Sequence, residues 1–111
     1  MGTRRPIKQP TRRRHFIKEW RKYRGLTQQQ LADRVETVVS GISQLEGGKQ
    51  GYSQAMLEAL ASALSCEPWD LLNVDPTKDG DVVDLTRLLK NATPEQKAEA
   101  IGYVKGLLRS G

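Results

Sequence analysis

Apolar residues recur at helical spacing through the first half of the chain, and this pattern predicts a series of short helices. The first apolar stripe ends at Tyr23, and Gly25 after it is a typical C-terminal helix stop. Thr27 and Gln30 then have the spacing of a capping box, which predicts the start of a second helix. The apolar positions assigned to the first three helices are Phe16, Ile17, Trp20, Tyr23, Leu31, Ala32, Val35, Ile42 and Leu45.

The same pattern continues beyond the second helix. A third helix is predicted from about Val38 to Glu46, where two glycines follow. Ser53 is the expected N-cap of a fourth helix, and Pro68 is the expected first-turn residue of a short fifth helix. We find neither strand-like alternation nor an internal repeat. The sequence therefore predicts an all-α fold, with a helical bundle over residues 15–73.

The last third of the chain has a different pattern. Residues 74–83 are rich in turn-forming residues, and we predict a linker there. Residues 84–111 are predicted to form one or two further helices, the last with Thr93 as its N-cap. Their apolar stripe exceeds what the bundle needs, so it either packs back on the bundle or builds a dimer. The stripe consists of Leu85, Leu88, Leu89, Ile101, Val104 and Leu108.

The charge of the chain is concentrated at its N-terminal end. The whole chain of 111 residues has a formal charge of +5, but residues 1–35 contain 11 Lys or Arg and two acidic residues. Residues 1–14 contain six basic residues and no acid, and we predict a flexible basic arm that is either a solvated tail or a DNA-contacting segment. A field of this sign favours a polyanion, which is either nucleic acid or an anionic membrane surface.

Several other functions lack a supporting pattern. Cys66 is the single cysteine, so no intrachain disulfide can form, in keeping with a reducing cytoplasm. No apolar run approaches the roughly 20 residues that cross a bilayer, and no secretory signal is evident. We find no paired carboxylates at enzymatic spacing, no zinc pattern and no glycine-rich phosphate loop. We therefore expect a cytoplasmic, nucleoid-associated protein that is not an enzyme and has no catalytic residue, cofactor or metal.

Two segments carry a more specific signal. Residues 27–32 read TQQQLA and residues 42–48 read ISQLEGG, and together they resemble the phage repressor and Cro-type helix-turn-helix family. The preceding residues 25–28 and the closing residues 67–72 also match, so the resemblance covers residues 15–72. It implies a five-helix, lambda-repressor-like bundle that binds double-stranded DNA, with its third helix in the major groove.

The resemblance assigns roles to individual positions. It implies that Gln28 holds a phosphate, that the third helix reads bases, and that Glu46 pairs with Arg21 of the first helix. Gln44 can contact adenine through two hydrogen bonds, whereas Val39 can only pack, for instance on a thymine methyl group. The loop after the third helix would meet the DNA backbone. With the arm included, the predicted DNA-binding residues are Gln28, Val39, Ser40, Ser43, Gln44, Lys49, Arg12, Arg13 and Arg14.

The chain also departs from the family pattern. Glu36 stands in the turn where the family usually has glycine at positive φ, and this predicts either strain or a different turn. Val38 stands where a polar cap is usual, so Thr37 is an alternative cap, and Gly41 lies inside the third helix. The third helix has no basic residue before Lys49. We therefore expect phosphate contacts and the arm to supply most of the affinity.

Three functions remain open from the sequence. The first is a bacterial or prophage transcriptional repressor that acts as a homodimer on a pseudo-palindromic site. The second is an antitoxin-type DNA-binding protein whose C-terminal helices bind a partner protein. The third is an interaction adaptor that uses the bundle without DNA.

Overall fold

The computed structural model describes residues 15–110, without the side chain of Ser110. The predicted basic arm at residues 1–14, including Arg12, Arg13 and Arg14, lies outside the described residues. Within the described range the chain forms helices and no strand, so the all-α prediction is confirmed. The helices are α1 (Ile17–Tyr23), α2 (Gln28–Arg34), α3 (Val39–Glu46), α4 (Gln54–Ala63), α5 (Pro68–Asn73), α6 (Pro76–Lys90) and α7 (Pro94–Ser110).

The first five helices enclose the hydrophobic core. Trp20 of α1 is fully buried, and its indole N–H donates to the carbonyl oxygens of Asp70 (3.2 Å) and Val74 (3.0 Å). These bonds satisfy the only polar group of a large buried ring and tie α1 to α5. The other buried apolar residues are Ile17, Leu31, Ala32, Ile42, Leu45, Leu57, Leu60, Ala61, Leu64, Cys66 and Leu71.

The helix starts differ in how they are capped. The capping box of Thr27 and Gln30 forms as predicted, and Ser53 accepts from the backbone N–H of Met56 at 3.0 Å. Val38 is the N-cap of α3, and its side chain makes no capping hydrogen bond. The alternative cap at Thr37 is therefore wrong, and α3 keeps an apolar residue at a position that usually favours Ser, Thr, Asp or Asn.

The turn between α2 and α3 is backbone-strained. Glu36 has a φ of 58°, in the left-handed region where a side chain costs of order 1 kcal/mol. The turn therefore keeps the positive φ that the family pattern implies, although the residue is not glycine. The surrounding core contacts of α2 and α3 hold this conformation in place.

The structure differs from the predicted linker at residues 74–83, because α6 begins at Pro76. Asp75 is its N-cap and accepts from the backbone N–H of Thr77 at 3.0 Å. Asp79 has non-helical dihedral angles and marks a kink. Gly80 then lies against Tyr23, so close that a Cβ atom would be 2.6 Å from the ring carbon Cζ. The turn-forming residues thus serve as a cap, a first-turn proline and a close helix contact.

Two sets of ionic contacts attach α6 to the bundle. Arg24, the C-cap of α1, pairs with Asp84 of α6 at 2.7 Å, and Glu67 before α5 pairs with Arg87 (3.0 Å) and Lys90 (3.2 Å). The hydrogen bond from Arg24 lowers the pKa of Asp84, and the hydrogen bond from Lys90 lowers the pKa of Glu67. One end of the C-terminal region therefore packs back on the bundle.

The remaining C-terminal region leaves several apolar side chains exposed. None of the described side chains of α7 is buried, and Leu88 of α6 and Leu108 of α7 are 74% and 76% exposed. Of the predicted stripe, Leu89 is half-buried, whereas the other members are exposed. These exposed members are Leu85, Leu88, Ile101, Val104 and Leu108.

Candidate nucleic-acid interface

Helix α3 has one buried face and one exposed face. Ile42 and Leu45 enter the core and are 1% and 4% exposed. The opposite positions, which the sequence predicts to contact DNA, are exposed to solvent. They are Val39, Ser40, Ser43 and Gln44. The helical period therefore separates the residues that anchor α3 from those that a duplex could reach.

A buried ion pair fixes the C-terminal end of α3. Arg21 of α1 donates through Nε to Glu46 Oε2 at 2.6 Å and through Nη2 to Oε1 at 3.1 Å. Its Nη1 donates to the carbonyl oxygen of Leu26 at 2.8 Å. The two side chains are 9% and 3% exposed. This geometry confirms the predicted pair, and a two-point contact between planar groups restricts the orientation of α3 against α1.

Gln28 belongs to the same hydrogen-bond network. Its Nε2 donates to Glu46 Oε1 at 3.0 Å, and the side chain is half-buried at the start of α2. The amide therefore contacts the residue that holds α3, in addition to any role toward a phosphate. The network links the start of α2 and the C-terminal end of α3 to the buried guanidinium of Arg21.

The loop after α3 places a basic side chain beside the exposed face. Gly47 ends the helix, and Gly48 has a φ of 79°, which favours glycine. The backbone N–H groups of Lys49 and Gln50 both donate to the carbonyl oxygen of Gln44, at 2.9 and 3.3 Å. These bonds fix the loop next to a predicted base-reading residue. The side chain of Lys49 is exposed.

The structure adds one residue that the sequence analysis had treated only as a poor cap. Val38 is 63% exposed at the start of α3, and Val39 beside it is 38% exposed. The signal available in the sequence was the pair of β-branched apolar residues at the N-terminal end of the recognition helix. The capping preference at Val38 gave no indication that its side chain would be exposed beside Val39.

The exposed face of α3 contains no charged side chain. Glu46, the acidic residue of this helix, is engaged by Arg21, and the nearest basic residue along the chain is Lys49.

Among residues 15–110, no helix is long and apolar enough to cross a membrane. In the same range, no cluster of three or more His, Cys, Asp or Glu side chains could hold a metal ion.

The fold and the exposed α3 define a helix-turn-helix protein, and comparison with known proteins gives its family. Residues 14–72 match the family described as Helix-turn-helix domain, which is more than half of the chain. The chain belongs to this family. The prediction of a helix-turn-helix, DNA-binding regulator is thereby confirmed at the level of the family.

Three known proteins show more specific similarity. The competence pilus inhibition repressor of Acinetobacter baylyi is 61% identical over 46 residues, which are 41% of this chain and 42% of that protein. The clp gene regulator ClgR of Corynebacterium glutamicum is 25% identical with a TM-score of 0.51, over 67% of this chain and 82% of that one. The complex of the SinR and SinI proteins includes a chain that is 25% identical with a TM-score of 0.53, over 86% and 95% respectively.

Proposed function

We propose that the protein binds duplex DNA in a sequence-specific manner and represses transcription, with α3 lying in the major groove. The observation that carries this proposal is the exposed, uncharged face of α3, which the buried pair of Arg21 and Glu46 holds in a fixed orientation. The similarity to a protein named as a repressor supports the direction of regulation. The family is a regulatory one, and we expect no catalytic activity.

The roles on α3 follow from the chemistry of its exposed side chains. Gln44 offers both a donor and an acceptor, which match N7 and N6 of adenine. Ser40 and Ser43 donate or accept a single hydrogen bond and discriminate weakly. Val39 offers an apolar contact. Gln44 is therefore the residue whose loss should reduce discrimination most, by roughly 1–3 kcal/mol.

The phosphate contacts are assigned to the edges of this face. The side chain of Lys49 would meet one strand, and Gln28 would meet a phosphate at the start of α2. The arm residues Arg12, Arg13 and Arg14 would add phosphate or minor-groove contacts. Deletion of residues 2–14 should then weaken binding strongly and flatten its dependence on salt concentration. Unchanged affinity after this deletion would contradict the role of the arm.

A selection of bound sequences from random duplexes tests the proposed function directly. We expect a defined site, and we expect binding to weaken as the salt concentration rises. Gln44→Ala should bind the selected duplex more weakly, yet bind a scrambled duplex as the native protein does. Lys49→Ala should weaken binding to both duplexes. Lys97→Ala on α7 is the matched control and should bind both duplexes as the native protein does. Equal affinity of the native protein for selected and scrambled duplexes would refute sequence-specific binding.

We further propose that the protein acts as a homodimer through α6 and α7. The exposed apolar residues of these helices support this, because apolar side chains left in water favour burial against another surface. A two-fold dimer would set its recognition helices about 34–36 Å apart, one turn of DNA. Sedimentation of the native protein and of Leu108→Asp should show a dimer and a monomer respectively, with Trp69→Asp, an exposed residue of α5, as control. A native monomer at micromolar concentration, with and without DNA, would exclude the dimer.

A second candidate function is binding of a partner protein by the same C-terminal helices, as in an antitoxin. The observation that favours it is the similarity to SinR, whose solved structure is a complex with the SinI protein. Copurification of the chain with a small protein encoded nearby would support this function. If the purified complex of the two proteins did not bind DNA, whereas the chain alone did, the partner would regulate DNA binding through the C-terminal helices. We expect either form of the protein in the cytoplasm, with the nucleoid.

A further inference from the structure

Val38 occupies a position where valine is unfavourable for the free protein in two respects. As the N-cap of α3 it makes no capping hydrogen bond, whereas Ser, Thr, Asp or Asn would stabilise the helix. Its side chain is also 63% exposed, so most of its apolar surface remains in water. Neither helix capping nor core packing therefore accounts for this residue.

The residues around Val38 indicate the chemistry of the ligand group that its side chain would contact. Val39 continues the apolar surface, and the other exposed residues of α3 are two serines and a glutamine. Both valines are β-branched, so they lose little side-chain freedom when a ligand packs against them. The apolar group that a major groove presents is the C5 methyl of a pyrimidine, which belongs to thymine or to methylated cytosine.

We propose that Val38, together with Val39, reads a pyrimidine C5 methyl group, and that thymine is its natural source. This inference rests on the proposed function and names Val38 as a further specificity-determining residue. The N-terminal residues of a recognition helix are those that contact base edges. Each half-site should then contain at least one thymine whose methyl group packs against this pair.

The test uses the full chain and a duplex obtained by selection from random sequences. Each thymine is replaced singly by deoxyuridine, which removes the methyl group and keeps the base pair. At one or more positions in each half-site, affinity should fall about fourfold, which is the effect of one buried methyl group. A second series carries 5-methylcytosine at each cytosine, and no cytosine methylation should raise affinity if thymine is the source.

Substitution of Val38 gives two effects of opposite direction. Val38→Ser restores a capping oxygen, so the Tm should rise by about 4–8 °C. The same variant should bind thymine and deoxyuridine duplexes with equal affinity. Trp69→Ser removes a 68% exposed apolar side chain from α5, outside the proposed DNA and dimer surfaces, and should leave the response to deoxyuridine intact. A merely structural role for Val38 would alter the Tm and leave the response to deoxyuridine intact.

The outcomes separate this inference from the proposed function. Selective, salt-dependent binding with a deoxyuridine effect that Val38→Ser abolishes supports both. Selective binding with no deoxyuridine effect at any thymine, or a selected site without thymine, overturns the inference and leaves the proposed function standing. A gain in affinity from 5-methylcytosine assigns the methyl to cytosine and overturns the choice of thymine. Absence of selective duplex binding overturns the proposed function and this inference with it.

Discussion

Arg24 and Asp84 join the first helix to the sixth through two hydrogen bonds, at 3.0 and 2.7 Å. Arg24 also donates to the carbonyl oxygens of Leu64 (2.7 Å) and Ser65 (3.1 Å), at the end of α4. One guanidinium therefore holds three elements together. The hydroxyl group of Tyr23 reaches the same carboxylate at 3.4 Å, so the contact between α1 and α6 is both ionic and hydrogen-bonded.

The stability provided by this contact should depend on pH. Arg24 lowers the pKa of Asp84, so the charged carboxylate stabilises the fold. Its contribution is complete above the unfolded pKa near 3.9 and is lost as the pH falls through the lower, folded pKa. Asp84→Asn should therefore lower the free energy of unfolding by about 1 kcal/mol at pH 7, and by progressively less as the pH falls below the unfolded pKa.

Urea denaturation at several pH values measures this difference. Asp81→Asn, an exposed residue on the same helix, is the matched control and should behave as the native protein does. A deficit of Asp84→Asn that persists unchanged at the lowest pH would show that the lost interaction is not that of the charged carboxylate.

Removal of Glu46 should destabilise the protein strongly. The substitution Glu46→Ala leaves the buried guanidinium of Arg21 without its counter-charge, at an expected loss of about 3–5 kcal/mol. The double variant Arg21→Met, Glu46→Leu removes both charges, keeps a similar volume and should recover most of that loss. Chemical denaturation of the double variant and of the single variants Arg21→Met and Glu46→Leu measures the coupling. Additive losses would mean that the two side chains act independently.

A glycine at position 36 should stabilise the turn. Glu36→Gly relieves a φ of 58° and should raise the free energy of unfolding by about 1 kcal/mol. Ser65→Gly, at a φ of 57°, should produce a comparable gain. Glu58→Gly lies inside α4, so it should instead lower stability by about 1 kcal/mol. Thermal unfolding compares the three, and a loss on Glu36→Gly would mean that the glutamate side chain outweighs the strain.

Two glycines of the C-terminal helices should respond oppositely to alanine. At Gly80 a Cβ would lie 2.6 Å from Tyr23 Cζ, so Gly80→Ala should displace α6 and cost about 1–3 kcal/mol. At Gly102 of α7 a Cβ would meet nothing within 4 Å, so Gly102→Ala should stabilise by up to about 1 kcal/mol. Calorimetry of the pair measures both changes. If both variants gained stability, the close contact of α6 with α1 would be wrong.

The thiol of Cys66 should react slowly in the folded protein. Burial raises its pKa to about 12, so little thiolate exists at pH 8. Iodoacetamide at that pH should modify the denatured chain within minutes and leave the native chain largely unmodified, as measured by mass spectrometry. Rapid labelling of the native chain would indicate that the region around α5 opens frequently.

Local signals in the sequence were sufficient for much of this fold. Several of these signals involve residues within one helical turn of each other, so they can be recognised without tertiary information. They are the capping box of Thr27 and Gln30, the N-cap at Ser53 and the three- or four-residue spacing of buried residues. The pair of Arg21 and Glu46 lies 25 residues apart in sequence, and the family resemblance was needed to predict it.

Tertiary contacts decided what the sequence could not predict. The segment with Pro76 and Gly80 has turn-forming residues, yet it is helical because α1 provides a surface for the glycine to approach. Val38 violates a capping preference, and only its exposure in the folded chain suggests another role. In both cases the residue is unfavourable for the helix in which it lies, and the reason for its presence depends on the folded structure and not on its neighbours in sequence.

The absence of charge on the exposed face of α3 has a consequence for how such a regulator can be altered. The residues proposed to distinguish bases are neutral, while those proposed to hold the backbone lie on other elements. Exchanging the outward residues of α3 for those of another regulator should therefore redirect the protein to a new operator, with the ionic-strength response of the parent retained. Mutation could then change the sequence specificity of the protein without changing its electrostatic affinity for the DNA backbone, and the reverse.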